Sequence, residues 1–253
     1  MFALPLVPAH CLWVGQIYLI EKDIMWILNY ILIVIAYLLG SIPFGYIVTR
    51  LSSGQNILEI GWQKTSGSNV FRNIGWWQGG LTGLLDLGKG SLAVYLSQYF
   101  HSPYYIQAFC GLAAVVGHNW SCFLRFSGGR GIGTFLGAAL FLSPQRLVIS
   151  LIPFAVVFLI WDAAIGTILF LATVIVLSFY PFSFLKEDVS ESIRIFSLFS
   201  LFPIFLKRLS PISEIIKGKK KNFLFFNRLI FDDNKPHFEL RIKRILKIPK
   251  GKY

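Results

Sequence analysis

Seven long apolar runs, at about 24–49, 80–99, 104–124, 131–143, 147–161, 163–181 and 192–207, take up most of the chain and limit what it can become. They show no period-two alternation, and all but the fourth approach the length at which a helix crosses about 30 Å of hydrocarbon. In lipid a backbone must bond to itself, which leaves helices or closed barrels. The expectation is therefore an all-α fold, a polytopic membrane helical bundle of about seven transmembrane helices. Composition agrees: 55% of the residues are hydrophobic and only 14% charged, against about 25% charged in a soluble domain. The short fourth run is rich in small residues (Gly131, Gly133, Gly137, Ala138, Ala139), which suits close helix packing or an incomplete crossing. No internal repeat is visible, which argues against a transporter built from duplicated halves.

Residues 1–24 lack a basic n-region and a small-residue cleavage site, so they do not read as a signal peptide. Met25 heads the first clean span. The expected organisation is an N-terminal extension at 1–24 that is not translated, a transmembrane domain at 25–207, and a basic tail at 208–253. Fourteen of the 24 Lys and Arg lie in 207–253, and such residues are retained on the cytoplasmic side. Seven spans then put the N-terminus outside, and place the 50–79 and 125–130 segments inside with the tail. The tail mixes cations with Phe, Leu and Ile, as in "KGKKKNFLFFNRLIF", and reads as a segment lying on anionic headgroups. Membrane attachment already accounts for the charge, so no nucleic-acid partner is expected.

The stretch "RFSGGRGIGT", residues 125–134, stands out against this oily background. Glycines let successive amides turn inward as a donor nest, and a following helix adds its positive N-terminus. With Arg125 and Arg130 beside Gly128, Gly129 and Gly131, the stretch reads as an anion pocket, and the guanidinium fork favours phosphate. A flexible turn with ordinary cytoplasmic arginines is the alternative. The second such stretch is "KTSGSNVFRNIG", residues 64–75, where Lys64, Ser66, Ser68, Asn69 and Arg72 form a donor set for an oxygen-rich ligand. A plain surface loop is its alternative.

Inside the spans, Asp86 and Lys89 share a helix face at i, i+3, and an unpaired charge at the bilayer centre costs about 2.5–3.5 kcal/mol on insertion scales. Either they simply pair or they face a polar cleft. His118 sits beside the arginine stretch and is the best acid/base candidate, because it titrates near neutrality. His118 and Cys122 would share a face at i, i+4, but no further ligand accompanies them, so no metal is expected. The three cysteines (Cys11, Cys110, Cys122) are too scattered for a disulfide framework.

Four segments together, "YLLGSIPFGYIVTRL", "SNVFRNIG", "LLDLGKGSLAVYL" and "GHNWSCFLRFSGGRGIGT", resemble the bacterial acyl phosphate:glycerol-3-phosphate acyltransferases, the PlsY family. The resemblance covers about residues 25–145. It implies a seven-helix enzyme of the bacterial inner membrane with its active site facing the cytoplasm. The implied reaction moves a fatty acyl group from acyl phosphate to the 1-hydroxyl of sn-glycerol 3-phosphate, giving lysophosphatidic acid and phosphate, the first step of phospholipid synthesis. An acyl phosphate is already activated, so no cofactor is implied. The implied partners are glycerol 3-phosphate, acyl phosphate and membrane lipids; oligomeric state is open.

Matched position by position, Asn69 and Arg72 fall in the family's first motif, while His118, Arg125, Gly128, Gly129, Arg130 and Gly131 fall in its second. Three departures stand out. Trp62 occupies the place of a functional serine, Lys64 replaces an asparagine, and Arg130 stands where lysine is usual. The third motif is faint, as "FFNRLIFDDNK", where Asn222 and Phe225 take the histidine and asparagine places ahead of Arg228 and Leu229. Ser66 and Ser68 are the candidates to replace the lost hydroxyl, beside His118 and Arg72 as catalytic residues. A relative without catalysis, or a phosphoanion transporter keeping the phosphate pocket, stays open as the alternative.

Overall fold

The computed structural model describes residues 9–160, 163–180 and 187–210, together with Phe225, Phe226 and Arg228. The described residues are helical throughout, with no strand among them. In chain order the helices are α1 (Ala9–Ser41), α2 (Phe44–Ser53), α3 (Gly67–Asn73), α4 (Trp76–Tyr99), α5 (Tyr104–Asn119), α6 (Ile132–Leu142), α7 (Pro144–Ile160), α8 (Ala163–Phe179) and α9 (Glu187–Leu209). The seven longer ones correspond to the seven expected spans, and α2 and α3 are short additions. The boundary expected at residues 24 and 25 falls inside α1, which is continuous from Ala9. Most of the expected tail, including Asn222 and Leu229, lies outside the described residues.

The first span was expected to run to residue 49, but it stops at Ser41. Pro43 has no amide to continue the ladder and biases Ile42 away from helical dihedrals, so the chain breaks and restarts as α2. The carbonyl of Ile42, released by the break, accepts from Lys89 Nζ at 3.0 Å. The third span is likewise shorter than expected: α5 ends at Asn119, and 121–127 folds into a tight turn in which Phe126 N donates to Ser121 O (2.8 Å) and Ser121 N to Ser127 O (3.1 Å). Cys122 therefore leaves the helix and shares no helical face with His118.

Helix α1 packs on α5 and α4, α4 on α6, α5 on α9, and α7 on α8. The central core brings together Phe135 of α6, Phe170 of α8 and Phe196 of α9, with the Phe135 and Phe196 rings stacked at 4.8 Å. The perimeter is apolar: Ile27 and Val34 of α1, Leu84 of α4, Ile152 and Leu159 of α7, and Phe202 of α9 all point outward and are exposed. A water-facing surface does not carry that much hydrocarbon, whereas a lipid-facing one requires it. At the end opposite the site, Arg146 is wholly buried and its Nε donates to Leu177 O at the C-terminal end of α8 (2.9 Å), where freed carbonyls and the helix dipole favour a cation.

Helix α6 has 11 residues, about 16 Å, too short to cross hydrocarbon alone. It survives by being enclosed. Gly137 lets its backbone touch α4, because a Cβ there would collide with the Leu87 carbonyl, and Ser91 Oγ donates to Gly137 O across the contact at 3.0 Å. Replacing Gly137 by Val is expected to push the two helices apart at about 1–3 kcal/mol, seen as a thermal midpoint in detergent lowered by roughly 5 °C. Gly88→Ala, the residue that follows Leu87 but faces open space, is the matched control and should not lower it.

Candidate active site

A cavity of about 580 Å³ opens at the end of the bundle that carries α3. Its polar wall is made by Trp62, Ser66, Ser68, Arg72, Asp86, His118, Arg130 and Arg208, and its apolar wall by Phe71, Ile132, Phe158, Ala163 and Ala164. Three guanidiniums from three separate parts of the chain thus meet beside a hydrocarbon surface. With Asp86 already paired to Lys89, the excess positive charge in a recess of low dielectric makes an anion site, and the apolar wall suits a tail attached to that anion.

The two stretches singled out in the sequence are in contact. Thr65 N donates to Gly128 O at 3.4 Å, and the guanidinium carbons of Arg72 and Arg130 lie 4.7 and 4.2 Å from the centroid of the Trp62 ring. The end of α9 joins them, with Lys64 Nζ donating to Lys207 O at 3.0 Å and Asn119 Nδ2 to Pro203 O at 2.9 Å.

Ser66 is buried at the head of α3 and makes no capping bond there; its hydroxyl lies 3.4 Å from that of Ser68. Behind them Asp86 and Lys89 pair at 3.0 Å, and Nδ1 of His118 lies 3.3 Å from the same Asp86 oxygen. All three are more than nine-tenths buried. The two readings of Asp86 left open by the sequence are both realised, since it pairs with Lys89 and also borders the cavity. Its carboxylate stands against the Nδ1 side of the imidazole. Nε2 faces Gly129, where any side chain would collide with the ring.

Several expected ligand-binding residues are placed otherwise. Arg125 is exposed on the 121–127 turn with a left-handed backbone and does not line the cavity. Gly128 and Gly129 form no open donor nest, because they press on the end of α5 and the Gly129 amide donates to His118 O at 3.0 Å. Gly131 does border the cavity, at φ +80° as the residue preceding α6. Asn69 is fully buried and saturated: Oδ1 accepts from Trp62 N (3.0 Å) and Asn73 Nδ2 (2.9 Å), while Nδ2 donates to Ile60 O (3.1 Å) and Lys64 O (2.8 Å). Asn69 and Lys64 therefore hold the cavity rim together and do not line it. Conversely, Trp62 and Arg208 belong to the cavity without having been expected there, and Asp86 belongs to it under one of its two expected readings. The signal for Asp86 was its intramembrane charge, while Arg208 was hidden among the tail cations.

Comparison with known proteins places this arrangement. The family model described as "Glycerol-3-phosphate acyltransferase" matches residues 30–218; the segment "FFNRLIFDDNK" lies beyond that match. Glycerol-3-phosphate acyltransferase 1 of Dehalococcoides mccartyi is 38% identical over 144 residues, 53% of this chain and 68% of that protein. The glycerol-3-phosphate acyltransferase of Desulforudis audaxviator is 33% identical over 195 residues, 76% of this chain and 93% of the other. Among solved structures, the glycerol 3-phosphate form of PlsY (YgiH), an integral membrane glycerol 3-phosphate acyltransferase, superposes with a TM-score of 0.59 at 25% identity, covering 78% of this chain and 98% of that one. Its lysophosphatidic acid form gives a TM-score of 0.56. Matched through all but the two ends of its length, the chain belongs to the glycerol-3-phosphate acyltransferase family of membrane enzymes.

Proposed function

We infer that this enzyme transfers a fatty acyl group from acyl phosphate to the 1-hydroxyl of sn-glycerol 3-phosphate, releasing lysophosphatidic acid and phosphate. The observation that carries the reading is the cavity itself, where Arg72, Arg130 and Arg208 share one space with His118 and an apolar wall. Both substrates are phosphorylated and one carries a hydrocarbon chain, so a cationic recess against lipid matches the pair. The cavity opens on the cytoplasmic side of the bacterial inner membrane, where the positive-inside bias puts the basic segments.

The reaction breaks the C–O bond between the acyl carbon and the donor phosphate and forms a C–O ester bond to the glycerol oxygen. The attacking hydroxyl loses its proton to the imidazole of His118, and that proton passes to the departing phosphate. The arginines hold the two phosphates within reach and stabilise the charge that develops on the leaving group. Ser66 and Ser68 supply neutral donors beside them. No enzymic nucleophile is required, because the mixed anhydride already carries a good leaving group.

Membranes containing the protein, given acyl phosphate and labelled glycerol 3-phosphate, are expected to form labelled lysophosphatidic acid. Uptake of label without ester formation would point instead to phosphoanion transport. Arg72→Ala and Arg130→Ala each remove a charge-assisted phosphate contact of about 1.5–3 kcal/mol, so KM for glycerol 3-phosphate should rise about 10- to 100-fold while membrane insertion is unchanged. His118→Ala is expected to act on kcat instead, lowering it about 100-fold or more, as steady-state kinetics at saturating glycerol 3-phosphate would read directly.

A further inference from the structure

The indole of Trp62 stands on the cavity wall with two guanidiniums over it, Arg72 at 4.7 Å and Arg130 at 4.2 Å. The two arginines arrive from different places, Arg72 from the last turn of α3 and Arg130 from the segment just ahead of α6. Like charges brought together repel, and a free arginine side chain has much rotamer entropy to lose on binding. A guanidinium laid over an aromatic ring is attracted by the ring quadrupole and gives up part of that freedom in advance, while its N–H forks remain available in their own plane. Tryptophan offers the strongest such ring.

The platform is itself fixed. Trp62 N donates to Oδ1 of Asn69 at 3.0 Å, and Asn69 is buried with its full complement of hydrogen bonds. The ring therefore sits on a rigid loop and both cations sit on the ring.

We propose that Trp62 is a positioning residue that holds Arg72 and Arg130 together as a preformed receptor for the phosphoryl group of glycerol 3-phosphate. The inference rests on the acyl-transfer reading above for the identity of the phosphorylated ligand.

Calorimetric titration of purified protein in detergent with glycerol 3-phosphate, run beside steady-state kinetics, tests it. Trp62→Leu is expected to weaken glycerol 3-phosphate binding and raise its KM about tenfold, with a much smaller effect on kcat and on KM for acyl phosphate. Trp62→Phe, which keeps a π face, should recover most of the affinity. Unchanged binding in Trp62→Leu, equal loss in Leu and Phe variants, or a rise confined to the acyl phosphate KM would overturn the proposal. If Trp62→Leu does not purify as a folded species, Trp62→Met combined with Arg72→Ala decides the matter, because each change alone removes the stack. Stacking requires their effects on affinity to be less than additive, and additivity would overturn it. A wild-type protein that binds glycerol 3-phosphate but forms no lysophosphatidic acid would defeat the acyl-transfer reading and leave this inference standing, because the titration measures binding alone.

Discussion

The site depends on one carboxylate kept charged inside an apolar bundle. Asp86 is the eleventh of the 24 residues of α4, about 15 Å from one helix end and about 20 Å from the other, where an isolated ion would not be tolerated. It is compensated from two sides, by Lys89 one turn along and by His118 from α5. Lys89 in turn binds the Ile42 carbonyl that the Pro43 break sets free. A helix interruption, an ion pair and an imidazole are thus one network, and removing Lys89 or Asp86 leaves the other with an uncompensated charge. Such interdependence fixes the histidine ring at the cavity while joining α1, α4 and α5.

The rim of the cavity obeys a related constraint. It is built from irregular backbone, which is stable next to lipid only when each polar group finds a partner. Asn69 gathers Ile60, Trp62, Lys64 and Asn73, Lys64 ties this loop to the end of α9, and Ser121 Oγ donates to Ser41 O at 2.5 Å. Polar side chains in a membrane enzyme therefore divide between holding the walls and facing the ligand. Residue type alone does not separate the two roles.

That division explains what was legible beforehand. The spans follow from run length and lipid physics, so the all-helical architecture was accessible, while the short helices α2 and α3 were not. The break at Pro43 was less so, because the apolar run continues through it and only the proline marks the interruption. Arg72, Arg130, His118, Ser66 and Ser68 were found as polar residues where oil was expected, and they do line one cavity. Arg125, Asn69 and Lys64 carry the same signal yet serve the turn and the rim, because which way a side chain points is decided by tertiary packing. Arg208 was read as the start of a basic tail, since a cation that ends a span and a cation that lines a site look identical without the fold. Trp62 was visible only as the absence of a serine; its use of two cations is a property of three segments meeting in space.

The departure at Trp62 also fits the energetics of the site. A hydroxyl bonded to phosphate brings a donor without an opposite charge, whereas a guanidinium brings both, so losing one hydroxyl from a cavity with three arginines is a modest deficit if those arginines are already in place. Their disorder is the larger obstacle, because each flexible guanidinium must be immobilised when the phosphate binds. Holding Arg72 and Arg130 over one rigid ring lowers that cost before the ligand arrives, and Ser66 and Ser68 keep hydroxyl donors within the same wall. On that proposal position 62 serves the phosphate through two organised cations and makes no bond to it of its own.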